Sequence, residues 1–114
     1  MKHFITVRIY FEYGQKTKGL SFWKKLYSSD FSTELMKRAK AFGLHQVLHL
    51  NVSKGYLNGQ KINWGTNEIR HYKHPHLIEI IDVEEKILTF LNKEDLLLKD
   101  TKVIVVKDTI LIRQ

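Results

Sequence analysis

A chain of 114 residues with 43% hydrophobic and 11% aromatic content has the size and apolar fraction of one folded domain and is not a disordered polymer. It contains no cysteine, which excludes disulfides, thiolate zinc sites and a cysteine nucleophile. A net charge of +7 attracts phosphate, whether on a nucleotide, a nucleic acid or a membrane surface, without choosing among them. The start Met1-Lys2-His3-Phe4 opens no signal-type apolar run, and no window approaches ~18 apolar residues, so a soluble cytoplasmic chain is expected, one domain over 1–114.

In chain order, Phe4 to Tyr13 alternates. Ile5, Val7, Ile9, Phe11 and Tyr13 form one face, and Phe4, Thr6, Arg8, Tyr10 and Glu12 the other, the pattern of a strand. Gly14 to Gly19 is a basic connection, and Leu20 to Tyr27 has the make-up of a short helical piece whose Phe22 and Trp23 need burial. Asp30 to Phe42 reads as a helix capped by Asp30 or Ser32, with Leu35, Met36, Ala39 and Phe42 inward and Gly43 ending it. His45 to Val52 alternates again, with Gln46, Leu48, Leu50 and Val52 on one side and His45, Val47, His49 and Asn51 on the other.

Residues 53–75 mix glycine and charge with Tyr56, Ile62, Trp64 and Tyr72, and read as a long mobile loop too extended for a tight hairpin turn. Pro75 marks the entrance of the next strand, where it removes no ladder bond. Leu77 to Ile81 is nearly continuous in apolar character, as in a strand buried on most of both faces. Asp82 and Glu85 have capping-box spacing, and Val83, Ile87, Phe90 and Leu91 follow as one helical stripe. Asn92 to Asp100 connects this helix, through one more turn over Lys93–Leu98, to a β-branched strand at Thr101–Val106. Lys107-Asp108-Thr109 then reads as a turn into a short β tail, Ile110–Arg113.

The order β-α-β-loop-β-α-β predicts an α+β ferredoxin-like sandwich, a four-stranded antiparallel sheet with two helices on one face. Its uncovered face is expected to carry Arg8, Tyr10, Glu12, His45, Val47, His49, Leu77, Glu79 and Ile81, apolar enough to favour self-association.

Enzyme signatures are missing: there is no G-x-S-x-G elbow and no G-x-x-x-x-G-K-[ST] phosphate loop. Glu84 and Glu85 are accounted for by the helix start, where negative charge opposes the helix dipole. Acylphosphatases of this fold need an arginine in the loop after the first strand, and this loop offers only lysines. RNA-recognition motifs need aromatics on the third strand, which here reads His76-Leu77-Ile78-Glu79-Ile80-Ile81. The six histidines include His71, His74 and His76 around Pro75, and His45 and His49 on one strand, but no helical H-x-x-x-H pair, so no metal ligand is assigned.

Glu79-Ile80-Ile81-Asp82-Val83-Glu84-Glu85-Lys86-Ile87 followed by Phe90-Leu91 resembles the E-I-V-D-x-E-E-K-I-x-x-F-L signature of a PII-like family known as domain of unknown function 190. Arg8-Ile9-Tyr10 is similar to its first-strand R-I-Y, and Lys18-Gly19 to the start of its K-G-x-P-L-Y element, without the proline. Gly43-Leu44, Val47 and Gly55 fall where that family has A-G-L-x-G-A-T-V and G-x-G. The resemblance implies a non-enzymatic regulatory homotrimer whose open sheet faces pack about a threefold axis. It also implies a small anionic ligand, adenine nucleotides among the candidates, bound between subunits near the loop base, with the 53–75 loop meeting a target protein and no obligatory cofactor.

Carried onto this chain, Gly55 is where backbone approaches phosphate, Lys54, Arg70 and His71 supply cationic contacts, and Arg113 closes the cleft. Two other readings stand beside it: a basic nucleic-acid-associated protein of the same fold, and a metal-responsive protein resembling the copper-tolerance CutA group.

Overall fold

The structure, a computed structural model, describes residues 2–12, 31–65 and 75–113. These form β1 (Lys2–Glu12), α1 (Phe31–Phe42), β2 (Gln46–Asn51), β3 (Pro75–Asp82), α2 (Glu84–Lys93) and β4 (Lys102–Leu111). The strands make one antiparallel sheet in the order β2-β3-β1-β4, as the ferredoxin-like reading requires. The helical piece expected over Leu20–Tyr27 lies outside the described residues.

The alternation of β1 sets the core. Ile5, Val7, Ile9 and Phe11 turn to the helices, where Ile78 and Ile80 of β3 join Phe31, Leu35 and Ala39 of α1 and Ile87 and Phe90 of α2. Each of these fully buried side chains larger than that of Ala39 contributes about 1.5–3 kcal/mol. Phe11 meets Phe31 and Phe42 meets Phe90 with ring centroids 4.9 and 5.3 Å apart and tilted planes, which favours contact of ring edge and face. At the end of α1 the Gly43 and Leu44 amides donate to the Lys40 and Ala39 carbonyls, a Schellman closure with Gly43 at φ +88°.

Four expectations need correction. First, β3 is not buried on most of both faces: its helix side (His76, Ile78, Ile80, Asp82) is buried, whereas Leu77, Glu79 and Ile81 are only half-buried.

Second, β2 is turned the other way. Its pairing places Gln46, Leu48 and Leu50 opposite Ile81, Glu79 and Leu77, so these lie on the open face, while Val47 and His49 lie with Ile80 and Ile78 on the helix side. Period-two patterning could not choose, because both sides of β2 mix apolar and polar residues.

Third, Asp82 does not cap α2. The helix is preceded by Val83 with no side-chain cap, and Asp82 stays in β3. Its Oδ1 accepts the Val83 amide hydrogen, its Oδ2 accepts that of His45 at 2.7 Å, and Lys86 Nζ lies 3.7 Å from Oδ2. The carboxylate thus ties the start of β2 to the end of β3.

Fourth, Lys107–Thr109 is a bulge and not a turn. The pairing of β1 with β4 shifts by one between Phe4↔Thr109 and Thr6↔Val106, so the expected tail continues β4 itself. Asp108 takes φ 66°, a left-handed position that aspartate tolerates better than most residues, and Thr6 Oγ1 and Thr109 Oγ1 bond across the irregularity at 2.8 Å.

Candidate functional site

The site expected from the sequence begins where β2 runs out. Asn51 is level with His76 and Phe11, so the loop leaves the sheet beside the C-terminal end of β1. Its first half is not an open coil. Gly55 and Asn63 exchange both backbone hydrogen bonds at 2.9 and 2.8 Å, the Gln60 amide returns to the Leu57 carbonyl at 2.9 Å, and Gln60 Nε2 donates to the Glu12 carboxylate. The result is a hairpin lobe over 53–65 leaning on β1.

Gly65 locks that lobe. It has φ +70°, and a Cβ there would lie 1.9 Å from the Ser53 carbonyl oxygen, so only glycine allows the two backbones to meet.

Lys54 is exposed at this root. Both backbone groups of Gly55 are engaged by Asn63, and a Cβ built on it would meet Val52 Cγ1 at 3.5 Å, so its amide is not free for a ligand. Arg70 and His71 lie outside the described residues. Arg113 is exposed just past β4, beyond the pairing of Leu111 with Lys2. Lys2 and Glu12 are opposite ends of β1, and the span between them at ~3.3 Å per residue is about 30 Å. One chain therefore does not bring Arg113 to Lys54.

Three side-chain arrangements were not foreseen. His49 Nε2 and His76 Nδ1 are 2.8 Å apart, with the Phe11 ring 5.6 and 5.7 Å from the two imidazoles. The pair joins the strand before the loop to the strand after it. Arg38 of α1 donates to Glu94 at 2.7 Å and to Glu34 at 3.2 Å. Glu94 is 4% exposed, and its hydrogen bond holds the Arg38 guanidinium above its ordinary range. On the open sheet face, Arg8 and Glu79 are register partners with Nε and Oε2 3.6 Å apart. They come from the two separate motifs quoted above, which the fold places side by side.

The same open face carries Leu48, Leu50, Ile104 and Val106, each between 39% and 48% exposed, with Leu77 and Ile81 half-buried among them. Among the described residues no three His, Cys, Asp or Glu stand together as a metal site, and no helix is long and apolar enough to cross a membrane.

Among solved structures, a PII-like signalling protein from Thermus thermophilus aligns with 93% of this chain and 85% of its own, at 15% identity and a TM-score of 0.54. GlnK of B. subtilis aligns over 95% and 87% at 17% identity and 0.45, and a de novo designed protein, Foldit4, over 96% and 98% at 14% and 0.41. No protein-family profile and no curated protein matches the chain. The fold is the PII-like form of the ferredoxin-like sandwich.

Proposed function

We propose that this chain is a non-enzymatic, cytoplasmic PII-like signalling protein of the domain of unknown function 190 family, acting as a single-domain homotrimer. Its open sheet faces pack together about a threefold axis, and a small anionic ligand, an adenine nucleotide in the simplest case, binds in the cleft between neighbours. Lys54, Gly55, Arg70 and His71 contribute from one subunit and Arg113 from the next, and the 53–75 loop carries the response to a target protein.

The observation that carries this reading is the open sheet face. Four large aliphatic side chains stand exposed on it around the Arg8–Glu79 pair, a surface too apolar to be left to water. Packing copies through that face also supplies what one chain lacks, a second subunit to bring an Arg113 toward a Lys54. A cleft built from glycine-approached backbone and guanidinium or ammonium groups selects phosphate over neutral ligands.

Calorimetric titration with ATP, ADP, AMP and cyclic AMP tests it. At least one is expected to bind, with affinity falling about tenfold or more on Arg70→Ala or Arg113→Ala and less on Lys54→Ala. No binding by the wild type, or binding indifferent to all three substitutions, would contradict the ligand assignment.

A further inference from the structure

The 53–65 lobe has a surface of its own. Gly55 and Asn63 form a doubly hydrogen-bonded antiparallel pair, and the residues on either side of it, Lys54, Tyr56, Ile62 and Trp64, are all exposed. Tyr56 and Trp64 are each 61% exposed and Ile62 is 48% exposed. Lys61 is exposed beside them, and a Cβ built on Gly59 at the turn would meet nothing within 4 Å, so the tip ends in open space. The sequence has no acidic residue between Glu34 and Glu68. Among the described residues, the carboxylate seen to bond the lobe is that of Glu12, and it is engaged by Gln60.

We propose that this surface docks on an anionic lipid bilayer. Tryptophan and tyrosine settle at the depth of lipid headgroups, where the ring is shielded and its N–H or O–H stays hydrated. Ile62, opposite Tyr56, adds aliphatic surface for the acyl boundary, and Lys54 and Lys61 meet headgroup phosphates with no lobe carboxylate to oppose them. Single-stranded nucleic acid fits less well, since base stacking needs successive π-faces and the aliphatic Ile62 interrupts them. This docking builds on the reading of the 53–75 loop as the element that meets a partner, and it names the chemistry of that partner.

Co-sedimentation of the full chain with vesicles of equal parts phosphatidylglycerol and phosphatidylcholine, against phosphatidylcholine alone, tests the docking. The chain is expected to sediment with the anionic vesicles only and to be released by high salt. Trp64→Ala is expected to weaken partitioning about tenfold, and Lys54→Ala combined with Lys61→Ala by a similar factor. Lys37→Ala, exposed on α1, leaves it unchanged.

The proposal is overturned if the wild type ignores anionic vesicles, if Trp64→Ala partitions like the wild type, or if Lys37→Ala weakens binding as much as the lobe lysines do. It is also overturned if the lobe residues instead govern oligonucleotide binding with no vesicle association. A nucleotide-binding trimer that ignores vesicles sinks the docking alone. A monomer held on vesicles through Trp64 supports the docking and sinks the trimer.

Discussion

Asp82 Oδ2 accepts the His45 backbone hydrogen at 2.7 Å, joining two residues that sequence places 37 positions apart. Asp82 is 5% exposed, so this acceptor cannot be replaced by water without opening the end of the sheet. Asp82→Ala is therefore expected to cost about 1–3 kcal/mol in urea unfolding. Glu85→Ala, which a capping box would make comparably costly, is expected to change stability by less than about 0.5 kcal/mol. Equal losses at the two positions would restore the capping role.

Arg38 answers a buried carboxylate. Replacing it with alanine strands Glu94 at 4% exposure, and a loss of about 2–3 kcal/mol is expected, partly recovered by Arg38→Lys. Glu94 raises the Arg38 ionisation, so the arginine side of the pair contributes at every pH below the ordinary arginine value and is lost only above it. Denaturation midpoints of wild type and Arg38→Ala are thus expected to keep a constant gap as neutral solution is made mildly alkaline. A gap that closes would contradict the assignment.

Gly65→Ala separates the lobe from the sheet. The new methyl group would meet the Ser53 carbonyl, so the lobe must open while the core stays intact. Faster hydrogen exchange at the Gly55 and Asn63 amides with an almost unchanged unfolding midpoint is the expected result. Unchanged exchange would mean that the lobe is not locked there.

The β4 bulge rests on Asp108 at φ 66°. Asp108→Gly is expected to be neutral or slightly stabilising. Asp108→Val, β-branched in a left-handed position, is expected to cost about 1–2 kcal/mol. A harmless valine would show that β4 takes a different register from the one described.

The architecture was legible wherever one side of an element differed clearly from the other. Ile5, Val7, Ile9 and Phe11 against Thr6, Arg8 and Tyr10 identify β1 and its core side, and Ile87 and Phe90 identify α2. β2 was legible as a strand but not in its orientation, since His49 and Leu50 offer no contrast and only pairing with β3 decides. The roles of Asp82, Arg38 and Glu94 were hidden because local spacing suggested a nearer partner or none, whereas their partners come from other elements. Of the candidate site, sequence order alone puts Lys54 and Gly55 shortly after the end of β2. The span separating them from Arg113 follows from strand order, which no local motif carries.

Packing of the open sheet faces is read out by light scattering of the purified chain on a sizing column. A species of three times the 13.5 kDa chain is expected, shifting to the single-chain mass on Leu48→Glu. A wild-type protein that elutes at the single-chain mass across accessible concentrations would contradict it.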